Sequence, residues 1–464
     1  MFMKDIKRHI IWIAPLLAMN IVFWMIFNDW SFQSAFTVGV ASLCALWWIF
    51  EPIPIPITSL IPLALFPIFG VLTGDQIARA YGDPLIILLM GGAMLSKAME
   101  ISDAHKRIAI SMIRLFGGHN PKTLVFGFML ASASLSMWVS NTATTLMLIP
   151  VVFAVLQNSR LEGNNANLAV ALLLGIAYAA SIGGLGTPIG SPPNVIFLKV
   201  YSDTVGTEPS FFQWMMWGLP VVLMMVPISC LWLTRKLPNR SEISIPKLGD
   251  WTSYERRVLT IFALTALFWI TLREPFGGWT TWFSLSGANY ASVALFSIIL
   301  MFLIPNGKGG RLLDWHSASN IQWGVLLLFA GGLAIAKAFE VTGVSNEIGE
   351  SLSIVTKLSI ILTVLIIATC VTFLTEITSN TATTALLMPI LAATALGSGI
   401  DPVVLMLPAA LSASCAFMLP VATAPNAIVF GTDKIKVSKM VAEGFALNLF
   451  GIFVITTVVF IWVN

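Results

Sequence analysis

The hexapeptide Ser-Asn-Thr-Ala-Thr-Thr occurs twice in this chain, at 140–145 and again at 379–384, each time near the middle of an apolar stretch. Those stretches, 121–157 and 358–394, leave arms of about 15 residues on either side of the polar tip, whereas a span across a hydrocarbon core takes about 20. Each is therefore expected to be a re-entrant hairpin with its tip inside the membrane. The rest of the 464 residues agrees with a membrane setting: 57% are hydrophobic and 10% charged, against roughly 25% charged in soluble domains. A secreted scaffold, a disordered tail and a nucleic-acid binder are excluded, and a net charge of +3 calls for no anionic partner.

Apolar windows of spanning length place crossings near 9–27, 35–50, 54–72, 84–115, 168–198, 211–234, 257–273, 286–304, 322–350, 402–432 and 440–462. The expected fold is all-α and polytopic, with about 11 transmembrane helices and two hairpins. The first run follows Lys4, Lys7 and Arg8 but has no small-residue cleavage site, so it reads as a retained span. With the N-terminus in the cytoplasm, the 25 Lys and Arg divide into 19 inside, 4 outside and 2 within spans. That is a strong positive-inside bias, and the odd number of crossings puts the C-terminus outside.

Further landmarks repeat in the same order. Gly91-Gly92 with Lys97 and Glu100 returns as Gly331-Gly332 with Lys337 and Glu340, and Pro193-Asn194 returns as Pro425-Asn426. With the first crossing set apart, each copy holds five crossings and one hairpin, and because five is odd the second copy enters from the opposite side. Inverted repeats of this kind belong to secondary transporters, which bind cargo near the midplane where the copies meet. The polar stretch 234–257 between the copies reads as a cytoplasmic linker.

Two other segments cannot run as continuous helices. Gly183-Gly184-Leu185-Gly186-Thr187-Pro188-Ile189-Gly190-Ser191-Pro192-Pro193-Asn194 and its partner Pro420-Val421-Ala422-Thr423-Ala424-Pro425-Asn426 are rich in Pro or Gly, which remove or weaken the helical ladder. A helix break at membrane depth persists only where the freed N–H and C=O groups are satisfied. Hydroxyl, amide and carbonyl oxygens at the tips and breaks suit a hard cation, and half-helix N-termini suit a carboxylate. None of these four segments contains Lys or Arg. An anion held there needs another source of positive charge, which co-bound sodium supplies, and the two affinities are then reciprocally linked.

Other ionisable groups read as structural. Lys97, Glu100, Lys337 and Glu340 suit local pairing or snorkelling. Glu376, opposite Met137 of the first copy, suits a structural or modulatory role. His9, His105, His119 and His316 suit interfacial anchoring, and Cys44, Cys230, Cys370 and Cys415 suit small buried hydrophobes. The sequence contains no GxxxxGK[ST] loop and no HExxH, and its Ser residues have no evident His partner, so neither ATP-driven export nor intramembrane hydrolysis is expected. The chain reads as a carrier, not an enzyme.

The paired Ser-Asn-Thr tips, Gly-Ser-Pro-Pro-Asn at 190–194 and the stretch from Ser414 to Val429 (SCAFMLPVATAPNAIV) resemble the divalent anion/sodium symporters, which include sodium-dicarboxylate and citrate carriers. The resemblance spans nearly the whole chain. It implies a homodimer in which a fixed scaffold (1–118 and 257–352) guides a mobile transport unit (119–234 and 353–464) in an elevator motion, with 235–256 as linker. Carried over by motif, one sodium is expected near Ser136, Ser140, Asn141 and the Gly190 carbonyl. Its symmetry mate is expected near Thr375, Ser379, Asn380 and the Ala422 carbonyl. The cargo's carboxylates are expected on Asn141, Thr142, Ser191, Asn380, Thr381 and Thr423. Where many dicarboxylate carriers have Thr-Pro-Pro-Asn, this chain has Thr423-Ala424-Pro425-Asn426. The function implied is sodium-coupled import of a C4 dicarboxylate such as succinate, malate or fumarate into a bacterial-type cytoplasm. The rivals are citrate or sulfate as cargo, protons as coupling ion and, from another class, a membrane enzyme or receptor on the same fold.

Overall fold

The computed structural model describes residues 2–116, 120–157, 165–238, 249–345, 347 and 359–463, and the side chains of these except 2–8, 165 and 463. His119, Arg160, Arg240, Lys247, Lys357 and the expected boundaries at 119 and 353 lie outside the described residues. Apart from one isolated bridge between Pro305 and Arg311, regular structure among the described residues is helical. Eight of the described helices are long and apolar enough to cross a membrane, which makes this a multi-pass helical membrane protein. The first, from His9 to Phe27, has little of its surface buried, with Trp12, Phe23 and Phe27 among its exposed side chains. Such a helix belongs on the lipid-facing rim.

Two expected single spans are divided. The window 54–72 forms two short helices, Ile55–Thr58 and Ile61–Ile68, each with a proline in its first two positions. Pro56 and Pro62 start helices readily but cannot donate into a preceding turn, so the run restarts instead of continuing. The window 84–115 forms Pro84–Ile101 and then, after Ser102 and a left-handed Asp103 (φ 58°), a separate amphipathic helix Ala104–Phe116. On that second helix Arg107 reaches Glu255 at 2.9 Å and the carbonyls of Gly249 and Asp250 at 2.7 Å each. The C-terminal end of the linker is thereby tied to the first half of the chain. His105 corrects its expected interfacial role: it is buried, with Nδ1 2.7 Å from the Met99 carbonyl oxygen. Cys44, Cys230 and Cys415 are buried as expected, whereas Cys370 stands exposed on an apolar helix face.

Both tip segments form helix–turn–helix hairpins. The first pairs Pro121–Ser136 with Asn141–Gln157, arms of 16 and 17 residues. The second pairs Ile360–Leu374 with Asn380–Gly397, arms of 15 and 18 residues. The last arm is longer than expected and by length and composition alone ranks among the eight candidate spans. Both broken segments are observed. Asn165–Gly183 is separated from Pro192–Val205 by an irregular stretch holding one 3-10 turn, and Pro402–Ala413 from Ala424–Phe430 by residues 414–423.

The breaks are seated the same way in both copies. A Cβ added at Gly218 would lie 2.1 Å from the Leu185 carbonyl oxygen, and one added at Gly444 would lie 2.2 Å from the Phe417 carbonyl oxygen. Leu185 and Phe417 are matching residues of the two breaks, so each irregular stretch is pressed against a glycine of a neighbouring long helix that no larger residue could replace.

Candidate transport site

Each tip begins a helix: the chain turns through Met137–Ser140 into Asn141–Gln157, and through Thr375–Ser379 into Asn380–Gly397. The Ser140 hydroxyl accepts from the Ala143 N–H at 3.2 Å, as an N-cap residue does. Behind each tip asparagine stands a fully buried hydroxyl five residues earlier. Ser136 donates to Asn141 Oδ1, and Thr375 donates to Asn380 Oδ1 at 2.7 Å. These bonds orient both amides the same way.

The breaks meet the tips. A Cβ added at Gly184 would lie 3.0 Å from Asn141 Oδ1 and 3.1 Å from the Gly190 carbonyl oxygen. Glycine at 184 thus leaves room for the amide and the carbonyl to approach one another. Across the copies, the Ser191 and Ser414 hydroxyls lie 3.2 Å apart, both buried.

One cavity of about 920 Å³ gathers these parts. Of the twelve residues expected from sequence, ten line it: Ser140, Asn141, Thr142, Gly190, Ser191, Ser379, Asn380, Thr381, Ala422 and Thr423. The other two, Ser136 and Thr375, sit behind the wall and hold the asparagines. Among its lining segments are the N-terminal ends of Asn141–Gln157, Pro192–Val205, Asn380–Gly397 and Ala424–Phe430. Helix N-termini carry partial positive charge, so the field here favours an anion. Among the described residues no Lys or Arg lines the cavity, and Glu51 is its single charged side chain. No cluster of three His, Cys, Asp or Glu able to hold a metal exists among them either. A cation here would be held by hydroxyl, amide and carbonyl oxygens.

Three site-building residues were not assigned these roles from sequence. Asn194 donates from Nδ2 to the Gly184 and Thr187 carbonyls, both at 2.8 Å, and Asn426 does the same to Ala416 and Leu419 at 3.1 and 3.0 Å. Each is fully buried and clamps the break ten and seven residues before it. The duplicated Pro-Asn pair was the visible signal, although its target was not. The third is Ser414, which nothing in its local pattern distinguishes.

Glu376 has the structural role expected of it. It is 3% exposed and accepts from the backbone N–H groups of Phe417, Met418 and Leu419 at 2.7, 2.9 and 3.0 Å, and from Asn448 Nδ2 at 2.8 Å. The first copy solves the same problem differently. Its glycine-rich break closes on itself, Leu185 N–H to Ile182 and Gly186 N–H to Gly183, while the Met137 side chain covers Gly186. The second break, Cys415-Ala416-Phe417-Met418, has no glycine for so tight a turn, and a carboxylate supplies the acceptors. Lys97–Glu100 and Lys337–Glu340 are local pairs at 2.9 and 2.7 Å.

The model of the citrate transporter family matches residues 45–405. The chain belongs to that family. It is also 39% identical, over 97% of its length and 89% of the relative's, to the sodium-dependent dicarboxylate transporter SdcS of Staphylococcus aureus. That places it among the sodium-dicarboxylate and citrate carriers, as the sequence motifs imply. Two solved structures share the fold at low identity. The YdaH transporter of Alcanivorax borkumensis gives a TM-score of 0.59 at 13% identity, covering 86% of this chain and 88% of that one. MtrF of Neisseria gonorrhoeae gives 0.58 at 15%, covering 86% and 84%.

Proposed function

We propose that the chain is a sodium-coupled symporter importing C4 dicarboxylates such as succinate, malate and fumarate. The observation that carries this reading is the cavity shared by both Ser-Asn-Thr tips, whose wall contains no lysine or arginine among the described residues. Two sodium ions supply the missing positive charge, one at Ser136, Ser140, Asn141 and the Gly190 carbonyl, the other at Thr375, Ser379, Asn380 and the Ala422 carbonyl. The cargo's carboxylates rest on Asn141, Thr142 and Ser191 at one end and on Asn380, Thr381 and Thr423 at the other. The S. aureus relative's name, with sodium and dicarboxylate in it, supports this choice of ions. Citrate is the second reading, favoured by the description of the matched family. In proteoliposomes loaded without sodium, radiolabelled succinate is expected to accumulate only when sodium is added outside. Uptake driven equally by choline plus a proton gradient would contradict the coupling.

The transport cycle follows from the same division of the chain. Eleven crossings and two re-entrant hairpins, arranged as inverted repeats, place the N-terminus in the cytoplasm and the C-terminus outside the inner membrane. The scaffold, 1–118 and 257–352, forms the homodimer, and 119–234 with 353–464 slides as the elevator. Two ion pairs then join scaffold to transport unit on the outer side, Asp83–Lys199 at 2.9 Å and Arg273–Glu208 at 2.7 Å, and both must part when the unit moves. In a Cys370→Ser background, linking Glu208→Cys to Arg273→Cys with a short reducible crosslinker is expected to stop uptake, and reduction to restore it. Full uptake by crosslinked protein would rule out the motion.

A further inference from the structure

We infer that Lys199 is a releasable latch on the outward opening: Asp83 holds it while the site faces the cytoplasm, and Asp203 keeps it when the transport unit moves outward. This rests on the elevator reading and deepens it by naming the residues that set how often the empty carrier opens to the outside.

The latch joins the two parts of the chain. Asp83 caps Pro84–Ile101 of the scaffold and is buried. Its Oδ1 accepts from the Leu85 N–H at 2.9 Å and its Oδ2 accepts from Lys199 at 2.9 Å. Lys199 lies on Pro192–Val205 of the transport unit and also reaches Asp203, one turn further along the same helix, at 2.8 Å. Side-chain exposure rises along the trio, from 8% at Asp83 through 24% at Lys199 to 52% at Asp203. Charges shielded from water attract more strongly than exposed ones, so Asp83 is the stronger holder.

Release is built into the same trio. Asp203 travels with Lys199, whereas Asp83 stays behind with the Leu85 N–H. Lys199 is therefore never left without a partner, and an unpaired charge is what makes a broken ion pair costly. Two carboxylates on one ammonium group also repel each other, and the outward movement separates them. Asp203 thus weakens the latch in two ways.

The cavity lies toward the other side of the membrane. Its wall reaches Phe50, at the end of Phe32–Phe50, and Gln322, at the start of Trp323–Val341, both of which the proposed orientation puts at the cytoplasmic face. Val421, on the same wall, is 77% exposed and makes a probe for the direction of opening.

The test uses whole cells carrying Val421→Cys in a Cys370→Ser background, in which Cys44, Cys230 and Cys415 are buried. A membrane-impermeant maleimide is applied outside, without sodium or cargo, and the labelling rate is read. Asp83→Asn keeps a residue able to cap the helix and is expected to raise the rate about fivefold, the factor for about 1 kcal/mol. Asp203→Asn is expected to lower it about twofold, as suits an exposed pair within one helix. Added to Asp83→Asn, Asp203→Asn should change nothing, because Lys199 is no longer shared between carboxylates. An unchanged rate in Asp83→Asn, or a shift in the same direction from both single variants, overturns the inference. Where Asp83→Asn does not reach the membrane, Lys199→Gln takes its place: a raised rate supports the latch and an unchanged rate overturns it. A merely structural role lowers the amount of folded protein without producing opposite shifts. Sodium-driven succinate uptake with no labelling from outside in any variant refutes the elevator reading itself, and the latch with it.

Discussion

Replacing either tip asparagine with alanine should reduce uptake by about two orders of magnitude while leaving the protein folded. Asn141 and Asn380 each present an amide to the cavity, and each is held by a buried hydroxyl five residues away. In the proposed site each amide oxygen faces sodium and each NH₂ faces a cargo carboxylate. Losing hydrogen bonds to charged partners costs about 1.5–3 kcal/mol each, and about 1.4 kcal/mol is a factor of ten, so two such losses give the stated reduction. The substitution takes the acceptor from one buried hydroxyl, Ser136 or Thr375, at a cost of about 1–3 kcal/mol, so Asn141→Ala and Asn380→Ala should melt in detergent only a few degrees below wild type. Near-wild-type uptake by either variant would disprove the site assignment. Equal damage from both is a further expectation, because the two tips share one hexapeptide and the same bond from a buried hydroxyl five residues earlier to the asparagine oxygen.

The largest stability effect is expected at Glu376→Met, which installs the residue of the first copy in the second. Three backbone N–H groups, of Phe417, Met418 and Leu419, then lose their acceptor inside the protein. An unsatisfied buried donor costs about 1–3 kcal/mol. A loss on the order of 4 kcal/mol remains after partial relaxation, and thermal unfolding should shift down by about 4 °C, at about 1 °C per kcal/mol for a chain of 464 residues. The reverse exchange, Met137→Glu, should also destabilise. There the Leu185 and Gly186 N–H groups already bond to Ile182 and Gly183, so an added carboxylate would be buried without donors. A melt of Glu376→Met within about 1 °C of wild type, roughly the shift for 1 kcal/mol at this chain length, would contradict this account of the second break.

Much of the site was legible because duplication is a strong signal. Two identical hexapeptides in apolar surroundings, each followed downstream by a Pro-Asn pair, mark tips and breaks without any structure, and ten of the twelve residues implied by the family resemblance line one cavity. Local irregularity was harder to see. Hydropathy alone cannot distinguish one span from two short helices at 55–68, because proline is both apolar and a helix starter. Nor does it place the turn at Asp103, whose left-handed backbone is fixed by local geometry. Contacts that join distant segments were invisible for a simpler reason. Glu376 meets a loop 41–43 residues away and Ser191 meets Ser414 across 223, and no local pattern encodes such partners. The Glu376–Met137 difference was visible as a broken symmetry, but its cause lies in the glycine content of the facing breaks.

The idea beneath all these expectations is that sodium, helix ends and neutral oxygens together hold the anion, with no basic side chain involved. Titrating succinate into purified wild-type protein at a series of sodium concentrations, with choline keeping ionic strength constant, addresses it directly. Succinate affinity should rise steeply with sodium, with a log–log slope of about 2 for two linked ions, and binding should vanish in choline alone. Succinate binding that is tight and indifferent to sodium would mean that the protein itself supplies the positive charge, and the account would be wrong.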